Sequence, residues 1–137
     1  MLNPTILTLD PGESTGWTFR TASGSLMGGT LPPDHLKVAE LILALRPDIV
    51  VYENFKLYPG KAKHMVWNSF YPCEVIGVIK YICAKEQIKI CDQAPSVKKY
   101  AGGFDHRWSQ FAEANPFTEH TKDAYLHLRY FERMKKL

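Results

Sequence analysis

The sequence has 137 residues, of which 45% are hydrophobic and 23% charged, proportions that fit one folded domain and argue against disorder. The formal net charge of +3 is small, but it is unevenly spread. Residues 1–53 carry three Lys/Arg against six Asp/Glu, and residues 54–137 carry fourteen against eight. Such a split suits a chain that brings carboxylates up to a phosphate backbone, and equally suits an ordinary solvated surface.

Thr5–Leu9 is β-branched and apolar, with Pro4 before it and Asp10-Pro11-Gly12 after it; it reads as a buried strand ending in a turn. Thr15–Arg20 alternates polar and aromatic residues and reads as a second strand. A turn at 21–24 leads to a third strand over 25–30, giving an antiparallel meander. Pro32-Pro33-Asp34 opens a helix whose apolar residues Leu36, Ala39, Leu41, Ile42 and Leu45 recur with helical period until Arg46-Pro47 stops it. Asp48–Glu53 is a continuous apolar strand closed by an acid, central in a sheet. A loop rich in Lys, Tyr, Pro and Gly follows over 56–63, then a long helix over 66–86 with Tyr71, Val75, Ile79 and Ile82 along one stripe. Ile88–Cys91 reads as a short strand, and Pro95 as the first turn of another helix. Residues 101–117 resist assignment, and Thr118 caps a last helix running to about 135. Three hairpin-linked strands followed by helix-separated strands predict one α/β domain over residues 1–137, with a mixed sheet between helices.

Cys73, Cys83 and Cys91 are odd in number and lack C-x-x-C spacing, so a reducing cytoplasm is expected rather than a disulfide framework. The opening Met1-Leu2-Asn3-Pro4 lacks a charged leader, and no apolar run reaches membrane-spanning length. A soluble intracellular protein with no membrane partner is expected.

Asp10 and Glu53 stand at the carboxyl ends of the first and fourth predicted strands. His120 and Asp123, three apart, share one face of the last helix. Hard oxygens from Asp10, Glu53 and Asp123, with an imidazole nitrogen, suit one or two divalent cations, Mg2+ or Mn2+. A pair of such ions activates water and stabilises the leaving oxygen of a phosphodiester. Each residue also has an ordinary explanation. Asp10 can serve its own turn, Glu53 can be a loop-edge carboxylate, Asp123 can favour the positive end of a helix dipole, and His120 can be a surface histidine. Their convergence at one sheet edge favours chemistry. His127, a turn further on, reads as structural.

Ile6–Gly12 followed by Ser14-Thr15-Gly16-Trp17 resembles the opening strand and hairpin of RuvC-type Holliday junction resolvases and their phage-borne relatives, within the ribonuclease H-like superfamily. Ile49–Glu53 is similar to their glutamate-bearing strand, Ala94-Pro95-Ser96-Val97-Lys98-Lys99 to their Pro-x-x-Val-Lys helix start, and His120–Ala124 to their closing motif. The motifs follow the family's order and extend over most of the chain. The resemblance implies a ribonuclease H-like five-stranded sheet, antiparallel in strands one to three and parallel in four and five. It also implies a metal-dependent endonuclease that hydrolyses phosphodiesters of four-way DNA junctions as a homodimer, in the host cytoplasm if phage-encoded. Asp10, Glu53 and Asp123 would be its metal-binding catalytic carboxylates. His120 would be the fourth member, where many relatives have aspartate, as ligand or as general acid or base. The family's helix between Lys99 and Thr118 is expected to be shortened or altered.

Lys56, Lys61 and Lys63 around Tyr58, with Lys98, Lys99 and Arg107, are candidates to hold phosphates without reading sequence. Phe55 and Tyr58 are candidates to stack on exposed bases, with core packing an equal reading for Phe55. Apolar residues on several sides of the long helix, among them Met65, Trp67, Phe70, Val78 and Tyr81, fit a subunit interface or burial within the monomer. Three other readings stay open. They are a nuclease acting on other branched DNA or hybrids, a non-catalytic nucleic-acid-binding module, and a phosphate-binding ATPase-like fold, for which the chain is short.

Overall fold

The computed structural model describes residues 3–55 and 70–137. In chain order the elements are β1 (Ile6–Asp10), β2 (Thr15–Arg20), β3 (Leu26–Leu31), α1 (His35–Leu45), β4 (Ile49–Glu53), α2 (Tyr71–Glu86) and β5 (Lys89–Gln93). A 3-10 helix (Pro95–Tyr100), α3 (His106–Ala114) and α4 (Glu119–Lys135) complete them. The strands form a five-stranded sheet in the order β3-β2-β1-β4-β5. Strand β2 is antiparallel to both β1 and β3, and β4 is parallel to both β1 and β5. This is the mixed sheet predicted from the sequence.

Strand β1 is buried along its whole length, as its unbroken apolar pattern requires for a strand covered on both faces. Leu7 and Leu9 point into one core with Val50, Tyr52, Val38, Ile42, Val75, Ile79 and Ile82, under α1 and α2. Ile6 points into the other core, with Val51, Trp108, Phe111, Tyr125, Leu128 and Phe131 under α3 and α4. The two-residue period of the strand therefore puts Asp10, like Ile6 and Thr8, on the α4 side. Thr8 confirms the assignment, since its hydroxyl donates to the Ala124 carbonyl of α4 at 2.8 Å.

Helix α1 begins where the Asp34 carboxylate accepts from the Leu36 amide at 2.9 Å, and stops at Arg46, which takes a left-handed conformation before Pro47. The predicted stripe of α2 is observed: Val75, Ile79 and Ile82 are buried, and Tyr71 packs beside them. Val78 also packs against this core, whereas Tyr81 is exposed. Met65 and Trp67 lie outside the described residues.

Two elements differ from the sequence reading. Strand β5 runs to Gln93 rather than Cys91, because Asp92 and Gln93 pair with Tyr52 and Glu53 of β4. The unassigned stretch after Tyr100 contains α3, capped by the Asp105 carboxylate on the Arg107 and Trp108 amides. Among the described residues no helix is long and apolar enough to cross a membrane.

Candidate active site

Parallel register brings the first two acids together. Leu9 pairs with Tyr52, so Asp10 and Glu53, one residue further along each strand, emerge side by side on the face that α4 covers. The two carboxyl groups are in hydrogen-bonding contact.

The third and fourth residues arrive on the first turns of α4. Its start is pinned to β3 by threonines. The Thr121 hydroxyl donates to the Gly29 carbonyl at 3.0 Å and accepts from the Thr118 amide at 3.3 Å, and Thr30 Oγ1 lies 2.7 Å from Thr118 Oγ1. Gly16, paired with Asp10 across β1 and β2, sets the depth of this docking. A Cβ there would stand 2.1 Å from the backbone carbon and oxygen of His120. Backbone cannot swing away as a side chain can, so Gly16→Ala is expected to destabilise the fold by about 1–3 kcal/mol or more. Gly77→Ala, on α2 with nothing near its Cβ position, is expected to stabilise it by about 0.5–1 kcal/mol. Urea denaturation of the pair checks both signs.

With α4 seated, His120 Nδ1 lies 3.5 Å from Asp10 Oδ2, its side chain half exposed at the pocket mouth. Asp123 reaches the group through Lys98. The Lys98 ammonium sits 2.9 Å from Glu53 Oε1 and 3.4 Å from Asp123 Oδ2. Asp10, Glu53, His120 and Asp123 are thus linked in one cluster at the carboxyl ends of β1 and β4.

The electrostatics follow from burial. Asp10 is 6% exposed; its desolvation, with the charge of Glu53, their shared hydrogen bond and the charge of Asp123, pushes its carboxyl up to about 8. Burial also opposes ionisation of Glu53, but hydrogen bonds from His127, Lys98 and Asp10 outweigh it and hold Glu53 down at about 2. Near neutrality the pair therefore shares one proton, carried on Asp10 and donated to Glu53. Burial works against the Lys98 charge as well, but its contact with Glu53 and the field of the three carboxyl groups raise it above the usual lysine range.

Among the described residues no three carboxylate, imidazole or thiol groups already stand as a closed ligand set for one ion. Asp10 is turned to Glu53 and His120, and the Lys98 ammonium takes the place between Glu53 and Asp123. The donor chemistry nonetheless suits a hard cation. Glu53 and Asp123 flank one ammonium, and burial with the neighbouring carboxyl charges raises Asp10, a donor set short of positive charge.

The remaining candidates are dispersed. Lys98, expected on a phosphate-binding surface, lies inside the acidic pocket. Lys99 is exposed, its ammonium 5.2 Å from the centre of the Tyr100 ring. Phe55 is partly buried just beyond β4. Lys56, Tyr58, Lys61 and Lys63 lie outside the described residues. Arg107, expected on a nucleic-acid surface, is already paired within the fold. Its guanidinium is committed to Glu132 at 2.6 and 2.8 Å and to Asp105, and its side chain is only 16% exposed. Sequence cannot distinguish a free arginine from one whose partner arrives on a different helix. His127, read as structural on the same helix face, and Gln93, which the sequence did not single out, stand beside the acids. Fully buried His127 lies 2.9 Å from Glu53 Oε1, and its other ring nitrogen lies 2.7 Å from Gln93 Oε1. The i, i+4 spacing of Asp123 and His127 was the available signal.

No protein-family model matches the sequence, and no curated protein matches it. Solved structures do. Thermus thermophilus RuvC, in complex with a Holliday junction substrate, superposes with a TM-score of 0.70 at 15% identity, covering 96% of each chain. The yeast mitochondrial Holliday junction resolvase Ydc2 superposes with a TM-score of 0.61 at 8% identity, over 98% of this chain and 80% of the other. Fowlpox virus resolvase, solved with Holliday junction DNA, gives 0.55 at 16% identity, over 95% and 98%. Strand order, pairing directions and helix placement together give this chain the ribonuclease H-like fold that it shares with these junction resolvases.

Proposed function

We propose that this protein is a divalent-metal-dependent endonuclease that resolves four-way DNA junctions. The observation that carries the proposal is the convergence of Asp10, Glu53 and Asp123, with Lys98 and His120, in one pocket of a fold shared with resolvases solved on junction DNA. Asp10, Glu53 and Asp123 would hold Mg2+ or Mn2+, as one ion or two. When bound, such cations lower the pKa of water and stabilise the oxygen leaving phosphorus.

The chain's own residues have separable tasks. Asp10 must give up the proton it shares with Glu53 before both can act as anionic oxygen donors. Lys98 neutralises Glu53 and Asp123 meanwhile, and its long stem lets the ammonium turn to a phosphate oxygen. His120, half exposed beside Asp10, is placed to move a proton at the pocket mouth or to donate its nitrogen. Lys99, with Tyr100 beside it, lies on the same 3-10 helix as Lys98 and supplies charge for the flanking strand. Two pockets on a two-fold dimer would let opposite strands of a junction be cut in one encounter. The outer side of α2, where Cys73, Gly77, Tyr81 and Ala84 are exposed, is the surface proposed to pair.

The test is cleavage of a synthetic four-way junction with Mg2+ or Mn2+, beside flap, RNA–DNA hybrid and linear duplex substrates. Paired nicks in the junction and an intact duplex are expected. Preference for flaps or hybrids would keep the nuclease and change its substrate. Binding without cleavage under either metal would reduce the protein to a junction-binding module.

A further inference from the structure

The Glu53 carboxylate is held by two unlike donors on one oxygen. Lys98 Nζ and His127 Nε2 each lie 2.9 Å from Oε1. Lys98 is the looser of the two: its side chain is 25% exposed, and it divides its ammonium between Glu53 and Asp123. An arriving phosphate or cation competes directly for these contacts. His127 cannot leave in the same way. Its side chain has no exposed surface and is enclosed between α4 and the sheet.

The second ring nitrogen has a built partner. Gln93, 7% exposed, stands opposite Glu53 in the register of β4 and β5, and its amide meets His127 Nδ1 at 2.7 Å. A carboxylate only accepts hydrogen bonds, so Nε2 must carry the proton that faces Glu53. The Gln93 amide can turn over to present whichever group Nδ1 then requires. Three elements thus close on one side chain: β4 supplies the acid, β5 the amide, and α4 the imidazole between them. Because His127 is four residues from Asp123, the helix face that brings the third acid also fixes the orientation of the second.

We propose that His127, held by Gln93, is a positioning residue that orients Glu53 as a metal-binding carboxylate when Lys98 is drawn away. The inference rests on the nuclease reading above. Outer partners that fix the orientation of a ligand commonly change metal affinity by about 10- to 100-fold when lost.

The experiment is isothermal titration of the full chain with Mn2+ in the absence of DNA, for wild type, His127→Phe, His127→Gln and Gln93→Leu, each checked by circular dichroism. His127→Phe is expected to weaken Mn2+ binding by about 10- to 100-fold. His127→Gln, whose amide can donate to Glu53, should recover part of that loss. Gln93→Leu leaves the imidazole in place and touches neither acid, so it stays informative if His127→Phe fails to fold; it should weaken binding by a smaller factor. Metal-free affinity for a four-way junction should match wild type in every folded variant. Equal Mn2+ affinity in wild type, Gln93→Leu and the folded His127 variants would overturn the inference alone. A wild type that neither binds Mn2+ nor cuts junctions would overturn the nuclease reading itself.

Discussion

Asp10→Asn is expected to lower junction cleavage by about a thousandfold or more, on the order of 4 kcal/mol of transition-state stabilisation, with junction affinity kept within a few-fold. The size follows from its place in the pocket. Asp10 touches both Glu53 and His120, and its carboxyl group is the most deeply buried of the three acids. Asparagine keeps the shape and a donor for Glu53 but cannot become an anion. Single-turnover cleavage in Mg2+ and a gel-shift titration in chelator read the two effects separately. Unchanged products would remove Asp10 from the chemistry.

The same substitution carries a pH signature in chelator. The Asp10 carboxyl is raised from its ordinary 3.8 to about 8 in the folded protein, so folding favours its protonated form. Its contribution to stability is intact below pH 4 and is lost as pH climbs through 8. Asp10→Asn escapes that loss. The variant should therefore gain on wild type between pH 5 and pH 8, by at most ~1.4 kcal/mol per pH unit, and no further above it. Glu53, depressed to about 2, works in the opposite sense, stabilising the fold above its ordinary range and failing it only in strong acid. Thermal melts of both proteins at pH 5, 7 and 9 show whether the gap opens in the stated direction.

The largest effect on stability is expected far from the pocket. Glu132, on the later turns of α4, is 7% exposed in its side chain and receives both arms of Arg107. Arg20 Nη1 lies 3.2 Å from its Oε2, an ion pair without hydrogen-bond alignment. These contacts drive the Arg107 guanidinium well above its ordinary range. Glu132→Ala takes from Arg20 the carboxylate it faces and leaves Arg107 with Asp105 alone. Breaking a buried pair from one side costs about 3–5 kcal/mol, on the order of 10 °C in melting temperature for a domain of this size. Asp105 keeps its own contact with Arg107 at 3.1 Å, but it also caps α3 and bonds Tyr125 and Arg129, so it offsets only part of the loss. A melting temperature within two or three degrees of wild type, in low salt, would show that the cluster contributes little.

How much of this was legible in the sequence depended on how local each signal is. Asp10 and Glu53 could be placed because an apolar run that ends in an acid marks both a strand and its end. His120 and Asp123 could be put on one face because helical spacing is a property of the chain alone. Lys98 could not be placed. Nothing near it in sequence shows that a 3-10 helix after β5 turns its ammonium in among carboxylates. Gln93 was lost with the end of β5, where Asp92 and Gln93 have little strand propensity and pair only because β4 lies beside them. In α3 the cap Asp105 and the apolar positions Trp108, Phe111 and Ala112 were present, but the adjacent Gly102-Gly103 and Pro116 gave the stretch the composition of a loop. The pairing of Arg107 was hidden for a related reason: Glu132 comes from a helix twenty-five residues on.

The alternation of β1 makes the acidic pair a guard on its own folding. Slide β1 by a single residue against β4 and Asp10 would turn toward the leucine side of the sheet, among the apolar side chains of Leu7, Leu9, Val50 and Tyr52. A lone carboxylate in that setting is expensive enough to forbid the slipped pairing. The residues proposed to do the chemistry would thus also reject molecules assembled out of step, so that a correctly paired sheet and a competent pocket come as one outcome.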